Sequence, residues 1–309
     1  MPRSACPLVS VIVAVSGNAA ALPDLLIALG RQQYPRARFE LVVVDNHADP
    51  VVHGDCLRRD SPVPCTVVHE PRPGLSRARN KGLRVARSEF VLFTDPDSRP
   101  LPGWISQMVA ALGGSGAHLA GGRVLPRFTA GQAPRWHPAV TALFVPPAWP
   151  PRVAPLGAPY WLAGCNLALR RDPVMWFAED LGVVGRRHRS CEDLELVVRC
   201  QAAGLEVVVV PDAAVERAIH PADVRARAVL GRAFWHGVSM RRLTGRHPSA
   251  QVYDSYQVGD ALARAWPPRP RNLMAAAADL ARIAGGTAER IRQRVRNAPG
   301  TSCAGRYRR

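Results

Sequence analysis

Lysine is almost absent from this sequence, because Lys81 is the single lysine among 41 basic residues. Long apolar runs are absent as well, since no stretch of 18 or more consecutive apolar residues exists. A membrane-spanning helix needs a run of that length, so we expect nothing here to cross a bilayer. The arginine bias is typical of a GC-rich coding sequence, so the abundance of arginine indicates little about function by itself.

Paired cysteine motifs are missing too. The seven cysteines form no Cys-x-x-Cys pair and no zinc-binding spacing, and their number is odd. Reduced thiols in a cytoplasmic protein are the simplest interpretation. The N-terminus, with Arg3 and an apolar run over 7–15, looks like a signal peptide, but it continues directly into an amphipathic helix pattern, as a first strand would. We therefore expect a cytoplasmic protein.

The net charge of +17 is concentrated towards the C-terminus. Residues 264–309 carry 11 basic and 2 acidic side chains, whereas residues 1–216 carry 23 and 19. Nucleic acid is disfavoured as a partner because the basic segment is terminal and lacks interleaved aromatic residues.

A helical pattern in the same segment favours peripheral contact with the inner face of the membrane, because apolar and basic side chains share its surface. The alternative is a C-terminal helix packed on the domain, and Gly285-Gly286 interrupts the apolar stripe. The stripe consists of Leu280, Ile283, Ile291 and Val295, flanked by Arg282, Arg290, Arg292, Arg294 and Arg296.

Strand and helix patterns alternate over the first 125 residues. Apolar, β-branched runs predict strands buried on both faces, and helical spacing of leucines separates them. Strands that alternate with helices predict an α/β fold with a Rossmann-like, mostly parallel central sheet. The predicted strands are 8–15, 39–45, 65–69, the run ending at Asp95, and 119–124, and the predicted helices are 22–29, 50–60, 75–86 and 104–112.

The texture changes between 126 and 173, where ten prolines occur in 48 residues. Proline excludes regular helix, so we expect ordered loops across the open face of the sheet, interrupted by a strand-like run at 160–169. A glycine-rich, basic stretch at 182–190 predicts a flexible loop. The remaining predictions are a helix at 192–203, a strand at 205–210, helices over 222–244 and 271–296, and a disordered last dozen residues.

Two aspartates follow the strand that ends at Asp95. Asp95 and Asp97 are separated by a proline and fall where ligands bind in open α/β sheets. Two hard oxygen ligands suit a divalent cation, and a cation suits a diphosphate. An Asp-Pro-Asp turn without a metal is the commoner meaning of such a tripeptide taken alone.

Further acids fall at strand or helix ends. Asp45 ends the second strand, where it is placed to bind a base or ribose hydroxyl or, alternatively, to form a turn with Asn46. Asp193 follows Glu192 at the start of a predicted helix and is a candidate general base. The alternative is structural, because Ser190 and Asp193 have the spacing of a capping box.

Basic and imidazole side chains supply further candidates. His220 follows a predicted strand, and a neutral imidazole there would complete the coordination of Mn²⁺ or Mg²⁺ if it faces Asp97. Arg77 and Arg79 lie on the helix that leads into the aspartate strand. They meet phosphate in one interpretation and form a solvated face in the other.

Ordered motifs along the chain resemble those of the family-two glycosyltransferases of the GT-A fold. The resemblance covers roughly residues 8–245, and it rests on the order of several motifs, each weak alone. The motifs are SVIV, LVVVDN, PGLSRARNKG, FTDPDS with PGW after it, AGCNLALRR, CEDLELVVRCQAAG, and VVVVP followed by a late histidine.

The resemblance implies roles for individual residues. Asp45 is similar to the acid that holds the base of a nucleotide sugar, and Arg79-Asn80 to a segment that lines the nucleotide pocket. Asp95 and Asp97 look like the Asp-x-Asp motif, in which the second acid binds the metal and the first reaches the ribose or a metal-bound water. Glu192 joins this donor-binding set, Asp193 resembles the catalytic base of inverting members, and His220 resembles a histidine that ligates the metal in some relatives.

The resemblance also implies a domain plan and a reaction. Residues 1–245 would form the GT-A domain, with a nucleotide-sugar half at about 1–125 and an acceptor half at about 126–245, followed by a basic, largely helical extension over 246–309. The implied reaction is inverting sugar transfer from a nucleoside-diphosphate sugar to an acceptor hydroxyl, with Mg²⁺ or Mn²⁺.

Two other classes of function remain as alternatives. A sugar-phosphate nucleotidyltransferase shares the sheet, but the chain offers only Ser16-Gly17-Asn18 where a glycine-rich, basic phosphate loop belongs. The third class is a basic module that binds a membrane or nucleic acid.

Overall fold

The computed structural model describes residues 8–297 except 18, 115, 131–137, 147–148, 158–159, 173, 186, 254–260, 262–263 and 266. The signal-like N-terminal residues and the last dozen residues, for which disorder is predicted, lie outside this described part. Cys56, Cys65, Cys165 and Cys200 are free thiols, in agreement with the prediction of reduced cysteines. Among the described helices, none combines the length and apolarity needed to cross a membrane.

Strands and helices alternate along the chain, as the sequence predicts. The strands of the described residues are β1 Val9–Val15, β2 Phe39–Asp45, β3 Cys65–His69, β4 Phe90–Thr94, β5 Ser98–Pro100, β6 Leu119–Phe128, β7 Ala154–Pro155, β8 Asn166–Arg170 and β9 Val207–Ile219. The helices with defined bounds are α1 Leu22–Gly30, α2 Gly54–Asp60, α3 Leu75–Val85, α4 Trp104–Gly114, α5 Pro138–Thr141, α6 Glu192–Ala202, α7 Ala226–Arg246 and the C-terminal helix Pro270–Asn297.

The described strands form one mixed sheet in the order β3-β2-β1-β4-β8-β6-β9-β5, with β7 beside β9. The first four strands are parallel to one another, which confirms the Rossmann-like half. Beyond β4 the pairing changes, because β8 runs antiparallel to both β4 and β6. The carboxyl ends of β1, β2 and β4 therefore share one edge of the sheet, where a ligand site is expected.

Strand β9 is longer than the predicted 205–210. It continues past Pro211 and Asp212, and the residues from 211 to 214 form an irregularity opposite Arg123 before pairing with β6 resumes at Val215. Its second half also pairs with the short strand β5, which the sequence does not predict. As a result, His220 follows directly after the strand rather than at a distance from it.

The core lies on both faces of the sheet. Helices α1, α4 and α7 cover one face through residues such as Leu25, Met108 and Ala233, and α3 and α6 cover the other through residues such as Ala78 and Leu196. The β1 strand is fully buried, as its uninterrupted apolar run predicts. The result is a three-layer arrangement that leaves the strand ends open for a site.

The C-terminal helix packs along α7 with very close backbone contact. A Cβ atom added at Gly237 would lie 1.8 Å from the carbonyl oxygen of Arg282, and one added at Gly285 would lie 2.0 Å from that of Phe234. Only glycine permits this approach at either position. The glycines that interrupt the apolar stripe in the sequence are therefore the contact between the two helices.

Buried ion pairs accompany this helix contact. Arg242 of α7 bonds Glu289 at 2.9 Å, and Arg264 and Arg282 bond Asp279 at 3.0 and 3.3 Å. The C-terminal helix is thus packed on the domain, which was one of the two alternatives for this segment. Most of the apolar stripe faces outward instead, with exposed fractions of 43% for Leu280, 58% for Ile291 and 59% for Val295.

Candidate active site

The site is built where β4 ends. Asp95 accepts a hydrogen bond from the backbone N–H of Ser98 at 3.1 Å, which forms the turn that the Asp-Pro-Asp sequence predicts. The backbone oxygen of Asp97 accepts one from Ala218 of β9 at 3.1 Å. The turn therefore brings Asp97 next to β9, so the two aspartates lie between the end of β4 and β9.

Asp97 and His220 line the same cavity, of about 230 Å³. Burial, and after it the charge of Asp95, raises the pKa of Asp97 above its ordinary value. His220 is exposed, and its Nδ1 lies 3.2 Å from the hydroxyl of Thr129. His220 and Asp97 therefore lie on one cavity, and the role of His220 as a metal ligand stays a prediction.

The donor chemistry of this cavity fits a divalent cation. Asp97 and Asp95 offer hard carboxylate oxygens, and His220 offers an imidazole nitrogen that Mn²⁺ accepts. Within the described part of the chain, no group of three or more His, Cys, Asp or Glu side chains is arranged to hold a metal ion. Binding of a divalent cation by Asp97, Asp95 and His220 therefore stays a prediction.

Arg79 connects the aspartate turn to the start of α6. Its side chain is 3% exposed, and its guanidinium bonds Glu192 at 2.9 Å and contacts Asp95 at 3.4 Å. The ring of Phe177 lies under the guanidinium, 5.2 Å away. The sequence places Arg79 in the nucleotide pocket or on a solvated face, and the structure shows a buried cation shared by two acids.

Gly164 is required by this arrangement. A Cβ atom added there would lie 2.6 Å from the guanidinium of Arg79. The backbone N–H of Gly164 donates a hydrogen bond to Asp193 at 2.9 Å. The residue therefore leaves room for the cation on one side and holds the candidate base on the other.

Asp193 lies at the start of α6, with its carboxylate held by backbone donors. Gly164 and Leu194 donate to its two oxygens at 2.9 and 2.8 Å. Burial raises the pKa of Asp193, although the charge of Arg79 and these hydrogen bonds oppose the rise. A carboxylate that is fixed in orientation and raised in pKa is suited to accept a proton.

Glu192 is its more deeply buried neighbour. Burial, and then the charge of Asp193, raises the pKa of Glu192 to about 7 against the opposing charge of Arg79. Two adjacent acids therefore share one buried cation. Perturbed acids of this kind concentrate at functional sites, although structural ion pairs produce them as well.

The capping-box interpretation of Asp193 is not realised. Cys191 is the N-cap residue of α6, no side-chain capping bond forms, and Ser190 turns instead towards α7. Its hydroxyl lies 3.0 Å from Nδ1 of His236, and its N–H donates to the hydroxyl of Ser239 at 3.0 Å. The loop before α6 is therefore anchored on α7.

Cys191 itself holds a strained backbone conformation. It is the one non-glycine residue with a positive φ, 69°, among the described residues. A left-handed conformation at such a residue costs about 1–2 kcal/mol. This strain lies directly before Glu192 and Asp193, and strained residues of this kind cluster at functional sites.

Asp45 is buried and fully engaged with its own loop. Its two carboxylate oxygens accept hydrogen bonds from His47, Val51 and Val52 at 2.6–3.2 Å. Although burial opposes it, these bonds lower the pKa of Asp45. Asn46 ties the same loop to its neighbours, since its side chain bonds the backbone of residues 70, 72 and 74. The role of Asp45 in holding the base of a nucleotide stays a prediction.

Asn80 is engaged with a neighbouring loop. Its amide nitrogen donates to the carbonyl of Phe177 at 2.9 Å, and its amide oxygen accepts from the N–H of the same residue at 2.9 Å. These bonds position the ring beneath Arg79. The placement indicates that Asn80 supports the site through Phe177, and its assignment to the nucleotide pocket stays a prediction.

Arg77 faces a second cavity, of about 540 Å³, beside the loop at 182–190. Its side chain contacts Glu179 at 3.4 Å. Arg72 and Arg189 also line this cavity. The side chain is 32% exposed and paired, and both predicted alternatives for Arg77, phosphate contact and a solvated helix face, stay predictions.

Sequence reasoning did not single out Gly164, Arg217 and Arg232, which lie close to the candidate residues. Gly164 is one of many glycines, and nothing local marks it as the neighbour of Arg79. Arg217 lies on the unpredicted part of β9, and Arg232 lies among other arginines of α7. A continuous β9 would have placed Arg217 beside the aspartates, so recognising the irregularity at Pro211 was the signal needed.

Comparison with known proteins identifies the family of this chain. The model of the family described as "Glycosyl transferase family 2" matches residues 10–166. Glycosyltransferase AglE of Haloferax volcanii is 30% identical over 124 residues, which are 39% of this chain and 40% of that protein. The succinoglycan biosynthesis protein ExoM of Rhizobium meliloti is 27% identical over 62% of this chain and 61% of its own length.

A third relative matches more of this chain. The pre-mycofactocin glycosyltransferase of Mycobacterium tuberculosis is 26% identical over 78% of this chain and 48% of its own length. The matches to these three relatives thus span between 40% and 61% of the relatives' own lengths.

Two solved structures show the fold. One is mannosyltransferase PcManGT from Pyrobaculum calidifontis in complex with GDP-Man and Mn²⁺, with a TM-score of 0.56 and 20% identity over 93% of this chain and 77% of that one. The other is S. aureus TarS 1–349 in complex with UDP-GlcNAc, with a TM-score of 0.51 and 17% identity over 93% and 91% of the two chains. The likeness identifies the present fold as GT-A.

Proposed function

The chain belongs to glycosyl transferase family 2, and from this premise we propose that it transfers a sugar from a nucleoside-diphosphate sugar to an acceptor hydroxyl with inversion. The observation that carries the proposal is the charge cluster in which Arg79 joins Asp95 to Glu192, with Asp193 held beside Glu192. In the proposed reaction Asp95 belongs to the leaving-group site and Asp193 is the base, and this cluster links the two. A single displacement needs both.

Asp193 takes the role of general base. Its oxygens are oriented by Gly164 and Leu194, so the carboxylate is fixed before substrate arrives. Burial raises the pKa of Asp193, which increases the basicity of its carboxylate. It removes the proton from the acceptor hydroxyl as that oxygen attacks the anomeric carbon, a contribution of about 10²–10⁴-fold in rate.

Asp97, with Asp95 and His220 beside it, would hold Mg²⁺ or Mn²⁺. Such a cation supplies positive charge that stabilises the departing diphosphate. The residues present fit it, because Asp97 and His220 share one cavity and Asp95 adjoins it. The neighbour PcManGT holds GDP-Man and Mn²⁺ together, which supports a nucleotide-sugar donor and a divalent cation here.

Donor binding is tested by thermal unfolding with UDP-, dTDP- and GDP-sugars, each with Mn²⁺, with Mg²⁺ and with EDTA. We expect one donor class to raise the unfolding temperature in a metal-dependent manner. Asp97→Ala should lose the metal-dependent rise, whereas Asp212→Ala, at an exposed site on β9, should keep it. No stabilisation by any donor under any condition would argue against the proposal.

The base is tested with Asp193→Asn. We expect this variant to bind the donor as the wild type does and to lose about 10²–10⁴-fold in release of nucleoside diphosphate over a panel of hydroxyl acceptors. Turnover near the wild-type rate would return Asp193 to a structural role. Pyrophosphate release from sugar 1-phosphate and a nucleoside triphosphate would instead identify a nucleotidyltransferase.

Peripheral contact with anionic membrane is a second property we propose, carried by the outward face of the C-terminal helix. Leu280, Ile291 and Val295 are exposed there, beside the exposed Arg294 and Arg296. Apolar side chains surrounded by arginines on one helix face suit an anionic lipid surface. The acceptor would then be presented at the membrane.

Co-sedimentation with phosphatidylserine-containing vesicles tests this contact. A double variant, Ile291→Asp with Val295→Asp, should pellet less than the wild type, whereas Ile27→Asp, an exposed apolar site on α1, should pellet equally. Equal pelleting of all three proteins would remove the helix from consideration. Point substitutions are needed because removal of the whole helix would uncover the packed surface of α7.

A further inference from the structure

One face of α7 holds both ends of the loop that precedes α6. At the start of this loop, Arg242 donates to the carbonyl of Asp180 at 3.2 Å, and Arg246 pairs with the carboxylate of the same residue. At its end, the hydroxyl of Ser239 accepts the N–H of Ser190 at 3.0 Å. The three α7 residues are three and four positions apart, so they share one side of the helix. The loop that leads into the candidate base is therefore fastened to α7 at both ends.

The bonds at Ser190 fix both its backbone and its side chain. The Ser239 hydroxyl donates to the carbonyl of Trp235 at 2.9 Å, so its oxygen is turned to accept the N–H of Ser190. The Ser190 hydroxyl lies 3.0 Å from Nδ1 of His236. Burial lowers the pKa of His236 to about 3, so the ring is neutral near pH 7. Protonation of the ring therefore does not disturb this bond at neutral pH.

Cys191 follows Ser190 and has the left-handed conformation described above. A residue other than glycine keeps such a conformation only where its surroundings fix it. These surroundings include α7, because Ser239 holds Ser190 and the Sγ of Cys191 lies 3.5 Å from the Sδ of Met240. The Cys191 carbonyl accepts the first hydrogen bond of α6, from the N–H of Glu195 at 2.9 Å. The conformation of Cys191 therefore sets the direction in which α6 begins.

The candidate base depends on that direction. Asp193 lies two residues after Cys191, and its carboxylate accepts hydrogen bonds from the N–H groups of Gly164 and Leu194. A change in the conformation of Cys191 would move Asp193 relative to Gly164. In enzymes a displacement of about 1 Å from the productive position can cost about 10²-fold in rate. The residues that hold the loop on α7 therefore act on the base through the backbone.

We infer that Ser239 and His236 are positioning residues for sugar transfer, which hold the carboxylate of Asp193 in line with the acceptor hydroxyl. They act through Ser190 and the left-handed Cys191, not by contact with the substrate. This role rests on the proposed function, because Asp193 is the general base of that reaction. It gives α7 a part in catalysis in addition to its part in the core.

Alkylation of Cys191 measures the anchor on α7 without any sugar transfer. Iodoacetamide is added to the native full chain, and the modified fraction of each cysteine is followed by peptide mass spectrometry. We expect Ser239→Ala and His236→Phe to raise the alkylation rate of Cys191 about tenfold, since each loses a hydrogen bond that holds the loop closed. Cys200 is the internal reference, because it is buried towards the other end of α6 and should react as slowly as in the wild type.

Thr244→Ala is the matched control for Ser239→Ala. The Thr244 hydroxyl donates to the carbonyl of Met240 at 3.0 Å, in the same manner as Ser239 donates to Trp235. The control therefore removes a bond internal to α7 and leaves the loop attached, so Cys191 should react at the wild-type rate. Equal alkylation rates in the wild type and all three variants would overturn the inference.

Steady-state kinetics test the positioning of the base. We expect Ser239→Ala and His236→Phe to lower kcat about tenfold and to leave the KM for the donor unchanged. A purely structural role would lower the unfolding temperature without this division between kcat and KM. His236→Asn places an amide near the position of Nδ1, where it can bond Ser190, and should restore most of kcat. Faster alkylation together with a wild-type kcat in both variants would overturn the positioning role.

The two measurements separate the positioning role from the proposed function. Transfer by the wild type, with undiminished transfer by the variants, would reject the positioning role alone. Absence of transfer by the wild type, with the alkylation pattern as expected, would reject the proposed function and the positioning role with it, while leaving the anchor on α7. If His236→Phe does not fold, Ser239→Ala decides, because it removes a single hydroxyl.

Discussion

Asp45 and Asp97 both follow buried strands at the same edge of one sheet, yet their surroundings act on them in opposite directions. The oxygens of Asp45 accept hydrogen bonds from its own loop, and these lower its pKa against the effect of burial. Asp97 is half-buried beside Asp95, and both burial and the charge of Asp95 raise its pKa, while the charge of Arg217 opposes the rise. The carboxylate of Asp45 is thus stabilised by hydrogen bonds from its own loop, whereas the surroundings of Asp97 disfavour its charged form.

Glu192 and Asp193 resemble Asp97 in this respect, since burial raises the pKa of each. Position at a strand end alone therefore does not separate these acids from Asp45. The direction in which the surroundings shift the pKa of a carboxyl group does separate them.

Substitution of Arg79 should have the largest effect on stability, because Arg79 is the counter-ion of Glu192 and Asp95. Arg79→Met would leave Glu192 and Asp95 buried without their cation, and we expect a loss of about 3–5 kcal/mol in the free energy of unfolding. Urea unfolding measures it. Arg84→Met, at an exposed position of the same helix, should cost about 0.5 kcal/mol. A loss below 1 kcal/mol for Arg79→Met would mean that water solvates these acids in the folded state.

The contact between α7 and the C-terminal helix resembles the surroundings of Asp45, because the protein itself supplies the partners of its charged groups. Gly285→Ala would place a Cβ atom 2.0 Å from the carbonyl of Phe234, so we expect a loss of about 3 kcal/mol in the free energy of unfolding. Gly231→Ala is the control, since its Cβ would meet open space and should raise stability by about 0.5–1 kcal/mol. Equal melting temperatures for the two variants would show that the helices are not closely packed.

Asp45→Asn and Asp97→Asn test the comparison directly. The first variant replaces a charged acceptor of several backbone hydrogen bonds, and we expect it to lose about 2 kcal/mol at neutral pH. The second removes a charge that the fold disfavours, so its stability in EDTA should equal or exceed that of the wild type. Unfolding free energies at pH 7 give both values, and the opposite ranking would reverse the assignment of the two acids.

The last expected effect is a dependence of stability on pH. The folded pKa of Glu192 is raised from 4.5 to about 7, so the folded state binds more protons than the unfolded state between these values. The stability contributed by its protonated form is present below pH 4.5 and is lost as the pH rises towards 7.

The wild type should therefore lose stability relative to Glu192→Gln across this window, by up to about 3 kcal/mol. Urea unfolding of both proteins at pH 5 and pH 7.5 measures the difference. A constant difference would mean that Glu192 is charged throughout, because Arg79 compensates for its burial.

The strands of the parallel half could be predicted from sequence because each is a continuous apolar run. Strand β5 could not, because Ser98-Arg99-Pro100 is three residues long and its pairing with β9 depends on distant residues. The irregularity at Pro211 and Asp212 hid the second half of β9, since a proline followed by an exposed acid has the pattern of a turn. Local sequence therefore predicted the regular strands and not the irregular one.

The site shows the same division. The acids at 95, 97 and 193 were found because each ends a strand or starts a helix. Arg79 was a candidate from the sequence, but its ion pair with Glu192 was not predicted, because more than a hundred residues separate the two. The proximity of Arg217 and Arg232 was not predicted for a related reason, since the two come together only through Phe144.

The glycine contact between α7 and the C-terminal helix also affects the order of folding. During synthesis the surface of α7 around Gly237 emerges before the helix that covers it. Arg242 has no ion pair with Glu289 until that helix has been made. Domains with late partners of this kind complete their folding only after the last helix leaves the ribosome. The sheet and its strand ends can form earlier. A chain interrupted before residue 270 would therefore contain most of the candidate site residues, but its uncovered face of α7 would favour aggregation.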